Sequence, residues 1–393
     1  MSLRSIEEFD LKSKNLFLRL DLNVPLNEGE ITDETRIMAA LPTIQYAIDK
    51  GAKIVLASHL GRPKTDEDRK KLSLQPVAER LGELLNIEVL LVEEPNGDAP
   101  KALLSNLKPN QLILLENLRF IPAETKNEKS LSEKWAQFTD VYINDAFGAS
   151  HREHASIVGL PKLVKNHGVG FLIKKEVEML NKVLKGDDKP FVTVLGGAKV
   201  SDKITVIEAL VNKVDTLIIG GAMAYTFLAA KGICVGRSLV EKDKIHLAKE
   251  LLNRFKVRGK ELLLPMDHLV VSAIEKPGTA LKTENDNIKD GYMGVDIGPK
   301  TMDYFCDVIK NAGMVFWNGP MGIFETPEYS KGTFAIAEAM ANNTGLTIVG
   351  GGDSAAAIAK SGFSQKVTHV STGGGASLEY IELGHLPGID ILK

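Results

Sequence analysis

The chain has 393 residues, more than one hydrophobic core usually organises, so its length favours two domains. Its 48 Lys and Arg against 51 Asp and Glu give a formal net charge of -3, which argues against a general binder of nucleic acid or anionic membranes. The acidic residues near the N-terminus and the lack of any run of about eighteen apolar residues argue against a secretory signal or a membrane span, so we expect a cytoplasmic protein.

Short runs rich in Val, Ile and Leu alternate along the chain with longer amphipathic stretches. This alternation is typical of parallel strands that are buried on both faces and joined by helical crossovers. It predicts strands at 15–20, 53–58, 111–115 and 141–144 in the first half, and at 191–195, 216–219, 261–264, 314–317, 346–349 and 366–370 in the second. The predicted fold class is α/β, with two Rossmann-like domains that each contain a parallel sheet flanked by helices.

A helix is predicted between the two halves. Ile173, Val177, Leu180 and Leu184 follow one another at steps of four, three and four residues, which is the spacing of one apolar helix face. Gly and Pro in 185–190 end this helix before the next strand. We therefore predict an N-terminal domain over 1–170, a connecting helix and hinge over 171–189, and a C-terminal domain over 190–375.

Polar and cationic residues follow the first-half strands, at the sheet edge where open parallel sheets bind ligands. These candidates are Asp21, Asn23, His59, Arg62 and Arg119, with Arg36 at a predicted helix start and Arg152 in a later loop. Guanidinium groups bind carboxylate and phosphate through paired hydrogen bonds, so the four arginines suggest a small polyanionic substrate. Alternatively, each arginine is a solvated surface charge, and Asp21 and Asn23 form a turn before Pro25.

Three histidines lie among these residues. His59, His151 and His154 lack the Cys or carboxylate partners of a convincing zinc site, so the sequence argues against a metal hydrolase. Positive charge at an anion site, or ordinary loop packing, explains them better.

The second-half strands run into glycine instead. The glycine-rich segments are 196–199, 220–222, 318–322, 350–354 and 371–375. Glycine lets backbone amides approach a phosphate closely, and a helix starting at Asp353 or Ser354 would direct its N-terminus there, so we predict a nucleotide site. Lys199 and Lys203 are four residues apart and would share a helix face. Asp353 is the best candidate ligand for Mg²⁺, although it also suits an N-cap.

Nine motifs resemble, in order and spacing, those of the phosphoglycerate kinase family: RLDLNVP, SHLGRP, ENLRF, INDAFG, HREHAS, GGAKVSDK, WNGPMGIFE, GGGDS and STGGGAS. The resemblance implies reversible phosphoryl transfer in glycolysis between 1,3-bisphosphoglycerate and MgADP, which gives 3-phosphoglycerate and MgATP. It implies a phosphoglycerate site formed by Asp21, Asn23, Arg36, His59, Arg62, Arg119 and Arg152. It implies a nucleotide site formed by Lys203, Gly294, Asn318, Glu325, Gly352, Asp353 and Ser354, with Asp353 holding Mg²⁺.

The same resemblance implies finer roles. Arg36, Lys199, Lys203, Gly351 and Gly374 would act on the transferring phosphoryl group, and the tail 376–393 would pack on the N-terminal domain. Glu153 departs from the small or neutral residue expected in its motif, and we expect its side chain to face outward. We expect a monomer that binds neither nucleic acid nor membranes.

Two other functions stay open on the residues alone. A nicotinamide-dependent dehydrogenase would also have paired α/β domains with glycine turns, but the chain contains no G-x-G-x-x-G fingerprint. The G-x-x-x-x-G-K-[ST] motif of the common mononucleotide-binding class is missing as well. A non-catalytic anion-binding module is the other alternative, and it does not explain why the chain has two unlike candidate anion sites.

Overall fold

The structure is a computed structural model, which describes residues 3–275 and 278–393. The chain forms two compact units. Unit 1 contains the described residues up to Glu178 together with His385–Lys393, and unit 2 contains Met179–Gly384. Residues 376–384 of the predicted tail therefore lie in unit 2, and only 385–393 lie in unit 1. The assignment of one ligand to each domain stays a prediction.

Unit 1 is built around a parallel sheet of six strands in the order β5-β6-β4-β1-β7-β8. The strands of unit 1 are β1 Asn15–Leu20, β4 Lys53–Ala57, β5 Glu88–Val92, β6 Gln111–Leu115, β7 Val141–Asp145 and β8 Asn166–Val169, beside the short hairpin of β2 Leu26–Asn27 and β3 Glu30–Ile31. The four predicted strands are the four in the middle of the sheet. Their apolar runs are almost wholly buried, as expected for strands covered on both faces.

The two edge strands of this sheet were not predicted. β5 is only partly buried along most of its length, and β8 has the sequence Asn-His-Gly-Val, which carries little apolar signal. An edge strand has a neighbour on one side only and needs less apolar sequence. The helices of unit 1 are α1 Thr35–Asp49, α2 Asp66–Lys71, α3 Gln75–Leu85, α4 Ala99–Asn106, α5 Pro122–Thr125 and α6 Lys129–Ala136.

The predicted connecting helix is confirmed as α7, Phe171–Lys185. Its predicted apolar positions Ile173, Val177 and Leu180 are buried. The division between the two units falls inside this helix, after Glu178.

Unit 2 contains a second parallel sheet of six strands in the order β11-β10-β9-β15-β16-β17. Its strands are β9 Phe191–Leu195, β10 Thr216–Ile219, β11 Glu261–Leu263, β15 Met314–Asn318, β16 Leu346–Val349 and β17 His369–Val370. All six were predicted, although β17 is shorter than expected because Ser364–Lys366 forms a 3-10 helix before it. The helices are α8 Ile204–Leu210, α9 Met223–Ala230, α10 Ile245–Val257, α11 Pro299–Lys310, α12 Lys331–Ala341, α13 Gly352–Lys360 and α14 Gly375–Leu383.

Unit 2 also has a small antiparallel sheet that was not predicted, in the order β13-β12-β14. It consists of β12 His268–Val271, β13 Leu281–Lys282 and β14 Met293–Ile297. Its strands are short and separated by polar residues, so they lack the long apolar runs of the parallel sheets. The last helix, α15 Pro387–Asp390, belongs to unit 1. Within the ranges described above, no helix has the length and apolarity needed to cross a membrane.

A buried carboxylate anchors the start of α7 in unit 1. Asp145, the last residue of β7, accepts hydrogen bonds from Thr43 Oγ1 at 2.5 Å and from the Ile173 amide at 3.0 Å. Gly170 packs so tightly on it that a Cβ there would lie 2.2 Å from the carboxyl carbon. Burial raises the pKa of Asp145 from 3.8 to about 6, against the lowering effect of these donors.

This raised pKa predicts a pH dependence of stability. The unfolded chain loses the Asp145 proton near pH 3.8 and the folded chain near pH 6, so this group destabilises the folded state as pH rises between those values. The loss is about 3 kcal/mol and is complete above the folded pKa. We expect the stability of Asp145→Asn, relative to the unsubstituted protein, to improve by about that amount from pH 4 to pH 7 in urea denaturation. A difference that is constant with pH would contradict the assignment.

Candidate active site

The candidate residues of unit 1 converge at the carboxyl ends of its central strands. We call the group formed by Arg19, Arg36, Arg62, Arg119, Arg152, His59, His151 and His154 the basic cluster. Burial and the nearby guanidinium groups of Arg19, Arg62 and Arg152 lower the pKa of Arg119. Like charges act on one another in this way only at short range, so the arginines share one region.

Hydrogen bonds hold the loops that carry these side chains. Asp21 pairs with Arg36, the second residue of α1, at 2.5 Å. Asn23 Oδ1 accepts the Gly61 amide at 2.8 Å, and the Gly61 carbonyl accepts from Arg119 Nη1 at 2.6 Å. Three loops that are far apart in sequence are therefore fixed against one another beside the cluster.

Two arginines of the cluster are exposed and unpaired. The guanidinium groups of Arg62 and Arg152 make no hydrogen bond or ion pair with the described part of the chain. Glu153, beside Arg152, is exposed, so the expectation that it faces outward is confirmed. Guanidinium groups held beside other cations and left without a carboxylate are available to an anionic ligand.

The histidines of the cluster are neutral near pH 7. Burial and the positive charges of Arg19, Arg119 and Arg36 keep the pKa of His59 well below its usual value. Burial and three arginines lower the pKa of His154 to about 4. Of the two interpretations left open by the sequence, extra positive charge therefore does not apply to His59 and His154. Residues 3–275 and 278–393 contain no group of three His, Cys, Asp or Glu that could hold a metal ion.

Sequence analysis missed the buried base of this cluster. Arg19, inside β1, has no exposed surface, and its Nε donates to Ser156 Oγ at 2.8 Å. Ser156 Oγ in turn donates to Glu124 Oε1 at 2.5 Å, and Glu124 is also fully buried. The available signal was a single arginine inside an otherwise apolar strand, since a charged residue there must find buried partners.

In unit 2, the glycine-rich segments at the strand ends lie against one another. A Cβ at Gly196 would lie 2.1 Å from the carbonyl oxygen of Pro320, and one at Gly221 would lie 2.5 Å from the backbone of Gly197. Only glycine allows backbones to approach this closely. We call the surface formed by 196–199, 220–222, 318–322 and 350–354 the glycine rim.

Asn318 connects several predicted nucleotide residues. Its Oδ1 accepts a hydrogen bond from Lys203 Nζ, and its Nδ2 donates to the Gly350 carbonyl at 2.7 Å. Burial lowers the pKa of Lys203, while the nearby carboxylates of Asp202 and Asp353 oppose that effect. The structure therefore brings Lys203, Asn318 and Asp353 together.

The prediction that Lys199 and Lys203 share a helix face is wrong. The helix α8 begins only at Ile204, after Lys203, and the segment before it is a turn. The carboxylate of Glu241 accepts the amide of Ser201 at 3.2 Å and its hydroxyl at 2.6 Å, which holds this turn. Lys199 is exposed, whereas Lys203 is partly buried beside Asn318. Glu241, 40 residues away from Ser201, could not be assigned from local spacing.

A helix N-terminus completes the glycine rim. α13 begins at Gly352, one residue earlier than predicted, after Gly351 with a φ of 91° that favours glycine. Ser354 Oγ accepts the Gly319 amide at 2.5 Å, and Asp353 is exposed in the first turn. Mg²⁺ bound with a nucleotide usually takes one or two carboxylates and several waters, and the accessible carboxylate of Asp353 beside the first amides of α13 fits it.

The remaining predicted residues lie outside the four segments that form this surface. Gly294 in β14 faces Tyr225, whose hydroxyl would be 1.8 Å from a Cβ at that position. Glu325 is exposed, and the Ile323 amide before it donates to Val295 of β14 at 2.9 Å. Gly374 precedes α14, which packs on α8. Within the described residues, no hydrogen bond joins Gly294, Glu325 or Gly374 directly to Lys203 or Asp353.

Comparisons with known proteins agree with this geometry. The family model described as "Phosphoglycerate kinase" matches residues 6–383. The phosphoglycerate kinase of Bdellovibrio bacteriovorus is 56% identical over 391 residues, which cover 100% of this chain and 97% of the relative. That of Clostridium botulinum is 51% identical over 392 residues, covering 99% and 98%.

A solved structure of phosphoglycerate kinase from Coxiella burnetii is similar with a TM-score of 0.90 and 39% identity, covering 100% of this chain and 99% of that one. The structure from Pyrococcus horikoshii has a TM-score of 0.86 and 34% identity, covering 99% and 98%. The match extends over nearly the whole chain in every comparison, and so this chain belongs to the phosphoglycerate kinase family.

Proposed function

We propose that this chain catalyses reversible phosphoryl transfer between 1,3-bisphosphoglycerate and MgADP, giving 3-phosphoglycerate and MgATP in glycolysis. The basic cluster binds the phosphoglycerate, and the glycine rim binds the nucleotide. The observation that carries this proposal is the presence, in one chain of this family, of two chemically unlike groups of donors that suit an anion. One is made of guanidinium groups and the other of backbone amides, a lysine and a helix N-terminus.

The basic cluster suits a small ligand with several negative charges. Five arginines lie there against the carboxylates of Asp21 and Glu124, so positive charge is in excess. Arg62 and Arg152 would bind phosphate or carboxylate oxygens directly, and Arg119 is already oriented by Gly61. Asp21 and Asn23 would bind the hydroxyl group of the glycerate.

The glycine rim suits a magnesium nucleotide. Asp353 would hold Mg²⁺, which neutralises phosphate charge and orients the phosphate oxygens when it is bound. Lys203, Asn318 and the first amides of α13 would bind phosphate oxygens, because a helix N-terminus favours negative charge. Gly294 and Glu325 would contact the nucleoside.

Transfer of the phosphoryl group needs positioning and cations more than a protein nucleophile. In the forward direction an oxygen of the ADP β-phosphate attacks the acyl phosphorus, and the bond from that phosphorus to the carboxyl oxygen breaks. Both the attacking phosphate and the leaving carboxylate are ionised, so no general base is required. Arg36, Lys199, Lys203 and the amides of Gly351 and Gly374 would stabilise the charge of the moving phosphoryl group.

The function is tested by a coupled assay that supplies ATP, 3-phosphoglycerate and Mg²⁺ to the folded protein. Turnover that depends on both substrates is the expected result. Ligand binding without turnover would favour the anion-binding module. Binding of NADH with no phosphoryl transfer would favour the dehydrogenase.

Arg62→Ala should impair use of phosphoglycerate and spare the nucleotide. The exposed, unpaired guanidinium supplies charged hydrogen bonds to one ligand only, so we expect the KM for 3-phosphoglycerate to rise about ten- to a hundredfold. The affinity for ADP, measured by calorimetry, should stay near normal. Arg80→Ala is the matched control, because Arg80 is neutralised by Glu34 and Glu83. Equal losses for both ligands would contradict the assignment of separate sites.

The two lysines of the glycine rim should differ in their effects. Lys203, held by Asn318 beside Asp353, contributes to ground-state nucleotide binding, so Lys203→Ala and Asp353→Ala should weaken MgADP binding about tenfold or more. Lys199 is exposed and has no side-chain partner among the described residues, and Lys199→Ala should mainly lower kcat. Lys256→Ala, on the exposed side of α10, is the control. A normal kcat in Lys199→Ala would remove the special role of Lys199.

Phosphoryl transfer between the two proposed sites also predicts that the molecule becomes more compact when both ligands are bound. The two ligands are assigned to different units, yet the reacting atoms must come within bonding distance. We expect the ternary complex to be more compact than the free protein, with either ligand alone having a partial effect, because only both together favour a closed state. Solution X-ray scattering on all four states checks this, and its forward scattering also checks the expected monomer. A radius of gyration that is the same in all four states would contradict closure.

A further inference from the structure

A buried chain of hydrogen bonds leads from Glu124 to His59 in unit 1. It runs from Glu124 through Ser156 and Arg19 to the imidazole of His59, and its residues are almost wholly buried. These hydrogen bonds join residues that are far apart in sequence, since Arg19 is 137 residues from Ser156. It ends at the basic cluster, where His59 is a proposed ligand of phosphoglycerate.

The last contact of the chain determines where the proton of His59 lies. Arg19 Nη2 is 3.2 Å from His59 Nδ1. A guanidinium group has donors only and no acceptor, so Nδ1 must accept this hydrogen bond and cannot carry a proton. A neutral imidazole has one N–H, which is therefore on Nε2. His59 Nε2 has no hydrogen-bond partner in the described residues, and the side chain retains 6% exposure.

Arg19 itself has no exposed surface. Each of its three nitrogens donates a hydrogen bond inside the protein: Nε to Ser156 Oγ, Nη1 to the Leu20 carbonyl and Nη2 to His59. Its orientation depends on Ser156, whose hydroxyl must accept from Arg19 and donate its own hydrogen elsewhere. Glu124 Oε1 accepts that hydrogen at 2.5 Å, while Glu124 Oε2 accepts the Ser156 amide at 2.9 Å.

These directions are consistent only if Glu124 accepts through both oxygens. Two donors and the charge of Arg19 favour its carboxylate form, although burial raises the pKa of Glu124 above its ordinary value. The hydrogen bonds between these residues then all point the same way: Arg19 donates to Ser156, and Ser156 donates to the carboxylate of Glu124. A buried arginine and a buried glutamate also offset each other's charge.

We propose that Glu124 and Ser156 are positioning residues for phosphoglycerate binding, because through Arg19 they hold His59 as the tautomer that has its proton on Nε2. His59 then presents an N–H donor to an anionic oxygen of the ligand. The inference rests on the proposed function for the identity of that ligand, whereas the tautomer itself is a property of the free protein.

The tautomer is tested first, by nuclear magnetic resonance on protein labelled with ¹⁵N at histidine. Long-range proton–nitrogen correlations distinguish a protonated ring nitrogen from an unprotonated one, and the His59→Gln variant identifies the His59 signals among the eight histidines. We expect a neutral His59 with its proton on Nε2 near pH 7. A proton on Nδ1, or a charged ring, would overturn the proposal without any reference to activity.

Variants then test the chain of contacts. Ser156→Ala and Glu124→Gln should each produce a mixture of His59 tautomers and raise the KM for 3-phosphoglycerate about tenfold, the effect of one lost hydrogen bond to an anion. The KM for MgATP should change by less than about twofold. Ser132→Ala is the matched control, because Ser132 Oγ contacts the same turn at the Ala155 carbonyl but does not contact Arg19. Glu128→Gln is the control for the exposed surface.

The double variant separates a relay from two independent effects. If Glu124 acts through Ser156, Glu124→Gln should raise the KM for 3-phosphoglycerate much less in the Ser156→Ala variant than in the unsubstituted protein. Fully additive effects, or equal changes in the KM of both substrates, would overturn the proposal. If the unsubstituted protein shows the expected tautomer but no phosphoryl transfer, the proposed function fails and the buried chain of contacts stands.

Discussion

The cost of burying positive charge shapes unit 1. Arg19 is fully buried in the central strand of a hydrophobic sheet, and a buried guanidinium is tolerated only when its nitrogens find hydrogen-bond acceptors. The polar residues below the cluster satisfy that need: Ser156 and Glu124 on one side and His59 on the other. Burial and the charges of neighbouring arginines lower the pKa of Arg119, His59 and His154, which marks a region of excess positive charge. An anionic ligand would offset that excess.

The phosphate site that we propose in unit 2 uses different means. Its strand ends carry few charges, and the close approach of Gly196 and Gly221 to neighbouring backbone leaves no room for side chains there. The proposed binding groups are backbone amides, the N-terminus of α13 and Lys203, whose position depends on Asn318. Backbone amides at a helix N-terminus suit the phosphate chain of a nucleotide. Guanidinium forks instead suit the separated carboxylate and phosphate of a small acid.

The two kinds of site explain why two similar sheets can have different roles. In each parallel sheet the carboxyl ends of the central strands lie side by side, and the loops that follow them carry the candidate site residues. Fold alone does not distinguish the two sheets. The residues that follow each strand distinguish the two sheets, because arginine side chains and the backbone amides of glycine present different donors to an anion.

The sequence by itself determined the α/β class, the central strands of both sheets, the helix at 171–185 and the residue types at the strand ends. These follow from local patterns, since buried parallel strands need continuous apolar runs. Only the tertiary structure decided the edge strands β5 and β8, the antiparallel sheet of unit 2 and the turn that separates Lys199 from Lys203. It also decided the partners of Arg19 and the role of Glu241, because hydrogen bonds across 137 and 40 residues leave no periodic trace in the sequence. Such contacts depend on which strands become neighbours, and that is settled only when the whole sheet packs.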